Sequence, residues 1–487
     1  MTSSQNVESL SRGRRWLSLS VASLATLLVT ADTGQLSIAL PIIITEFNAD
    51  LSLASWLVLV YALITASLYL PCGRFSDLVG IGKVFSAGFV LYGIAALAAG
   101  WSRSAEQLIL FRAFQAVGSA LIMANNFALV TALFPPAERG RAMGLSGGTV
   151  SALGYTLGPV LGGLLTRAFG WRSNLYLSAA LASVGLVVAR FLLPPGSFAG
   201  TSMRREPFDL RGTIAFALSI SLLLLALATA QKGPWRSSLV ATEFVAGIVA
   251  LALFVWLEQR ARYPLLDLAL FRIPAFALGN ATRWISFVTM SFNVLLMPFF
   301  LQLGMRLDPL QAGFLVIPTP LAMAVLAPLT GWMSERFLPE RLCSLGLIIN
   351  GVAFFFLSFL SAESTSVTVI VWLTVLGFGM GLFQTPNNNL LMSSLPRQRL
   401  GVGSSFLSIV RSVGNSAGTA LAATIVSAQL LAATGNTSLH NLTGNFGMEN
   451  VAPTLAAFLK GFHYTYLLAG LLCLAGAVLS AVRVSER

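Results

Sequence analysis

The chain of 487 residues is 56% hydrophobic and 10% charged, where a soluble domain carries roughly a quarter charged residues, and its mean hydropathy is +0.80. Such a composition excludes an ordinary soluble domain and indicates a polytopic membrane protein. Lys and Arg total 30 against 18 Asp and Glu, for a net +12. They are dealt out singly along successive loops rather than clustered with aromatics on one solvated face, which argues against a nucleic-acid partner.

Apolar runs fall at about 16 to 45, 52 to 72, 83 to 101, 107 to 133, 143 to 166, 174 to 193, 212 to 230, 239 to 257, 276 to 303, 310 to 333, 342 to 361, 366 to 394, 402 to 430 and 463 to 482. Each is close to the roughly 20 residues a helix needs to cross a bilayer, and none shows the alternation of an outer-membrane barrel strand. An all-α protein of about fourteen transmembrane helices is predicted. Arg12, Arg14 and Arg15 precede a first run too long for a signal-peptide core, so it is expected to be a retained anchor. Connectors that would share a side with the N-terminus carry most of the cations, among them Arg139, Arg141, Arg260, Arg262, Arg336 and Arg341. The positive-inside rule therefore puts both termini in the cytoplasm of a multi-pass protein in the cytoplasmic membrane. Scarce Lys beside Arg hints at a bacterial source.

Two polar connectors divide the chain. Pro194 to Gly212 has the Pro, Gly, Ser and charge content of a linker, and Glu258 to Pro274 is a second basic connector. The predicted layout is a six-helix bundle over 1–195, a linker with two additional helices over 196–275, and a second six-helix bundle over 276–487. A variable solvated outer loop is expected from Ala432 to Lys460, holding His440. Cys72, Cys343 and Cys473 are too widely spaced for a metal knuckle, so neither disulfide nor metal is expected.

The stretch Gly147 to Leu165 carries Gly154, Gly158 and Gly162 at intervals of four, with Pro159 and Gly163 between and after them. In lipid, where backbone groups must pair internally, this remains helical, bent at Pro159, with one bare face open to close approach by another backbone. That face is expected to meet the second bundle. Gly73 to Lys83 reads as a tight turn in which Asp77 and nearby cations could latch neighbouring helices between Gly73 and Gly80. Asp32 lies about 25 Å along its helix from Arg15, and Arg112 roughly 9 Å in from Glu106 on the opposite side, so both reach similar depth. Arg283 and Arg411 each lie roughly 12 to 14 Å in from the other edge. For Arg283, snorkelling to the interface and facing a cavity remain open alternatives.

Together these segments resemble the major facilitator superfamily, in its fourteen-helix drug/proton antiporter branch. Gly73 to Lys83 resembles its signature loop; Arg112, Gln115 and Gly118 its fourth-helix motif; Gly154, Gly158, Pro159, Gly162 and Gly163 its antiporter motif. Asp32 to Pro41 resembles the branch's first-helix motif, and Arg411, Gly414 and Gly418 its penultimate-helix pattern. The signature loop departs from the pattern, with Leu78 in place of the usual Arg and few following cations. The resemblance implies two bundles rocking about a midplane substrate site, formed by Gln35, Gln115, Arg283, Gln384, Asn387, Asn388 and Arg411, with outward transport.

Nothing matches a phosphate-binding G-x-x-x-x-G-K-[ST] loop, so a proton gradient is the expected driver and no cofactor is expected. Asp32 is the one carboxylate well inside a predicted helix and the candidate proton carrier; motion that changed its distance from Arg112 would change its proton occupancy. A static pair that pins two helices is the alternative. The predicted function is proton-coupled export of small hydrophobic or amphiphilic compounds, by a protein working as a monomer. Export of an endogenous lipid, siderophore or metabolite, and a nontransporting receptor, are the alternatives. An enzyme is not expected, since His440 and His463 are the only histidines and no nucleophile motif or paired carboxylates share a membrane depth.

Overall fold

A computed structural model describes residues 11–47, 51–193, 208–232, 237–307, 309–396, 399–434 and 451–485. The described residues are almost wholly helical. In chain order they form α1 (Arg12–Glu46), α2 (Leu51–Val79), α3 (Ile81–Gly100), α4 (Ala105–Met123), α5 (Asn126–Leu133), α6 (Pro136–Met143), a π-helical turn (Gly144–Thr149), α7 (Val150–Phe169) and α8 (Arg172–Leu192). Then follow α9 (Leu210–Lys232), α10 (Ser238–Arg260), a 3₁₀ turn (Leu268–Arg272), α11 (Pro274–Phe299), α12 (Pro309–Val316), α13 (Pro318–Arg336), α14 (Pro339–Ser358), α15 (Ser366–Ser393), α16 (Leu400–Thr434) and α17 (Val451–Ser485). Merged across their breaks, they supply 14 stretches long and apolar enough to cross a membrane.

Local chemistry sets several ends. Ser104 caps α4 by accepting from the Gln107 amide at 3.3 Å, one of the orphan donors every helix start leaves. Gly80 separates α2 from α3 at φ +112°, a backbone region that side chains disfavour. Large apolar side chains such as Leu164 (62% exposed), Val325 (68%) and Leu471 (66%) point outward, a surface that only lipid would cover without cost.

In the N-terminal half α1 packs on α7 and α8, α4 on α2 and α3, and α3 on α8. In the C-terminal half α14 packs on α15 and α17, α13 on α15, and α16 on α11 and α17. These are two six-helix bundles. The additional pair, α9 and α10, packs on itself and reaches α2 and α16. Two seams join the halves: α2 against α16, and α6 with the π turn and α7 against α13.

Three expectations change. The last helix begins at Val451, not near 463, because VAPTLAAFLKGF is a helical but less apolar lead-in; the expected outer loop keeps only 435–450, with His440, and these lie outside the described residues, as does the linker over 194–207. The signature loop is no loop, since α2 stays helical through Val79 and only Gly80 breaks it. Third, the fifth apolar run extends back to Pro136 through the glycine-rich π turn and on to Phe169.

Candidate functional site

Asp32 and Arg112 meet inside the N-terminal half, 3% and 2% exposed. The Arg112 Nη1 donates to Asp32 Oδ2 at 2.7 Å and to Gln115 Oε1 at 2.8 Å. Gln115 Nε2 and Ser178 Oγ both donate to Asp32 Oδ1, at 3.3 and 3.0 Å. The guanidinium also lies 4.4 Å from the centre of the Tyr61 ring. One carboxylate is thus held by groups from α4 and α8, with α2 supplying the aromatic floor. A buried pair of this kind is costly to break, since removing one partner leaves a charge in a medium that solvates it poorly. Neutralising Asp32 would leave the buried Arg112 cation without its counterion.

The glycine face of α7 lies against α1 around Asp32. A Cβ added at Gly154 would come within 2.9 Å of Thr30 Cβ, at Gly158 within 2.6 Å of the Ala31 carbonyl, and at Gly162 within 2.7 Å of Gln35 Cα. This corrects the expectation that the bare face meets the second bundle. A stripe of small residues specifies close approach but not the partner, and here the partner is the helix that carries Asp32. The other half is met mainly by the preceding π turn and α6: Gly144 faces the Ala327 carbonyl and Gly140 the Gly331 carbonyl so closely that no side chain would fit. Pro159 lies within α7, its ring against Gly34, and Gly163 is half-buried.

At the α2/α16 seam Gly73 abuts Gly401, and Asp77 accepts from the Gly401 and Val402 amides at 2.9 and 3.2 Å. Asp77 therefore latches to a helix N-terminus, which carries partial positive charge, not to a lysine; Lys83 is exposed. At the α6/α13 seam Glu335 accepts from the Arg141 amide at 2.9 Å and pairs with its Nε at 3.2 Å.

The C-terminal half holds a second polar cluster. Arg283 is 2% exposed, so it does not snorkel; its Nε donates to the Leu407 carbonyl at 3.0 Å and its Nη1 to Asn388 Oδ1. Phe287 and Phe127 flank it at 5.0 and 5.9 Å. Asn387 donates to the Gly279 carbonyl at 3.2 Å, whereas its Oδ1 and the Gln35 Oε1 are buried without a partner among the described residues. Gln384 and Arg411 are half-buried, and Tyr69 lies near Arg411. The structure thus groups Gln115 with Asp32 and Arg112, and Asn388 with Arg283, while Gln35 sits at the α1/α7 contact. Tyr61, Ser178 and Tyr69 escaped the sequence reading, because a lone Tyr or Ser in an apolar run carries no spacing signal.

This architecture, two helical bundles with charges buried at depth, is that of a secondary membrane transporter. A profile of the Major Facilitator Superfamily matches residues 22–419, and the chain belongs to that family. It is 30% identical over 410 residues to the riboflavin transporter RibZ of Clostridioides difficile, covering 84% of this chain and 87% of that one. It is 30% identical over 417 residues to the multidrug resistance protein Stp of Mycobacterium tuberculosis, covering 85% and 76%. Among solved structures, the proton:xylose symporter XylE superposes with a TM-score of 0.65 at 14% identity, over 96% of this chain and 95% of that one. The relatives and the fold are those of transporters, embedded in a membrane and acting on small molecules.

Proposed function

We propose that this protein is a proton-coupled antiporter that exports hydrophobic or amphiphilic compounds across the cytoplasmic membrane of a bacterium. The observation that carries the reading is the Asp32–Arg112 pair, a buried carboxylate on which Arg112, Gln115 and Ser178 converge. An ionisable group in this position is a functional candidate by default. Protonation would release Arg112 and loosen α1 from α4, biasing the rocking of the two bundles, residues 1–195 against 276–487, about the seams. Both termini and the Gly80 end would be cytoplasmic, the unit would be a monomer, and the proton gradient would replace any cofactor. Kinship with a multidrug resistance protein supports a drug as cargo. Kinship of equal identity with a riboflavin transporter supports the second reading, an endogenous metabolite.

Reconstitution into liposomes under an imposed pH gradient tests this, with fluorescent amphiphiles and riboflavin as cargoes. Gradient-driven flux is expected, with Asp32→Asn retaining gradient-independent exchange but losing accumulation. Equal accumulation by Asp32→Asn would leave the pair a static pin and sink the coupling.

A further inference from the structure

The buried charges of the two halves are balanced differently. Arg112 has Asp32 as counterion, and buried Arg74 lies near Asp77. Among the described residues Arg283 has no carboxylate partner, and a second cation, Arg411, lies near it. The two hydrogen-bonding groups of Arg283 go to a neutral carbonyl and a neutral amide oxygen, leaving Nη2 without a protein partner among the described residues. The packing of α11 on α16 brings the two arginines near each other. Arg283 bonds the carbonyl of Leu407 on α16, one turn before Arg411 and so roughly 6 Å along the axis. Gly414, one turn beyond, lets α11 close in at Trp284 and Phe287. An isolated buried cation is expensive, and a second one nearby adds repulsion. A negative group between them would relieve both costs.

We propose that Arg283 and Arg411 form a recognition site for an anionic group, a carboxylate, sulfonate or phosphate, on the transported amphiphile, whose apolar body would lie against Phe127 and Phe287. This rests on the transporter reading but specifies what that reading leaves open. Guanidinium groups suit oxyanions because two parallel N–H donors match two oxygens. Asn388 holds the Arg283 fork in place by occupying one nitrogen. The cargo's charge would restore the balance that the protein lacks.

The test is binding, measured by calorimetry on the full chain in phosphatidylcholine nanodiscs, with three probes of one shape: 2-naphthalenesulfonate, neutral 2-naphthol and a naphthyl-trimethylammonium. The sulfonate should bind about tenfold or more tighter than the ammonium. Arg283→Gln and Arg411→Gln should each weaken sulfonate binding about tenfold and leave naphthol within about twofold. Arg283→Lys should recover part of the loss. Arg411 is half-buried, so its variant carries the test even where Arg283→Gln fails to fold. Competition by added phosphatidylglycerol would identify a lipid as the anion's source, and absence of competition a solute. Binding of no probe, tighter binding of the ammonium, or equal loss of all three probes in the Arg411 variant would overturn the proposal. Gradient-driven export of the ammonium, unchanged by Arg411→Gln, would overturn it while leaving the transporter reading intact; selective sulfonate binding without gradient-driven flux would do the reverse.

Discussion

The two seams between the halves make the same kind of join with different chemistry. At α2/α16 the contact is backbone on backbone, Gly73 against Gly401, and the charged group Asp77 is 7% exposed and satisfied by amides. At α6/α13 the backbones of Gly140 and Gly331 also touch, but the charged contact is an ion pair in which Arg141 is 35% exposed and Glu335 5%. Amide donors are fixed by the helix and cannot swing away, whereas an arginine side chain keeps its entropy and its access to water. The first seam should be rigid and indifferent to salt, the second soft and tunable.

Removing the backbone fit should have the largest effect. Gly73→Leu and Gly331→Leu each place a side chain where a carbonyl already sits, which should disfavour the closed seam by about 3 kcal/mol or more. Distances between spin labels across each seam should show the closed population lost; an unchanged distribution would remove backbone contact as the basis of both seams. Next, Asp77→Asn should weaken closure by about 2 kcal/mol, the cost of replacing charge-assisted bonds with one neutral acceptor. Lys83→Ala should do nothing, and an equal effect from it would restore a charge latch there.

Glu335→Gln should cost only about 0.5 to 1 kcal/mol, because the pair is partly solvated and the Arg141 amide keeps an acceptor. Raising ionic strength toward 1 M, where the screening length falls to about 3 Å, should mimic Glu335→Gln and leave Asp77 contacts untouched. Equal salt sensitivity at the two seams would erase the contrast.

The smallest effect belongs to the opposite end, where Glu46 joins α1 to α8 through Arg172 at 2.6 Å and Trp171 at 2.7 Å. The Arg172 hydrogen bond holds the Glu46 carboxyl below the usual carboxylate range. A lowered folded value means its contribution is complete above the ordinary carboxylate range and fades as pH falls through the lowered value. Thermal unfolding of Glu46→Gln should therefore differ from the parent near neutrality, by under about 1 kcal/mol given its exposure, and converge in acid. A constant difference down to acid pH would remove the ionised pair as its cause.

What the sequence made legible follows a physical division. Fourteen apolar runs specify spans, since crossing length is a property of each segment alone, and Asp32 and Arg112 stood out because charge inside such a run is costly anywhere. The α7 glycines announced close approach yet hid its target, because Ala31 and Gln35 meet them through backbone positions that any sequence could supply and Thr30 through one small side chain. Asp77 gave a carboxylate but no hint that its partners are two amides 324 and 325 positions away. The lead-in of α17 was missed at Val451 because Pro453 and Lys460 lower its apolar character without breaking the helix. Arg283 was left between two readings because helical rise gives its depth and not its facing.

The Asp77 contact has one further consequence. A helix start ordinarily takes its cap from the residue just before it, and α16 begins after Arg399, which offers no acceptor side chain. Its cap is on loan from the other half of the molecule. Under the proposed rocking, parting of the halves would leave the first turn of α16 an unfinished helix end, its amides turned to water. Hydrogen exchange at Gly401 and Val402 would therefore be a built-in clock, its rate counting the moments at which the proposed gate stands open.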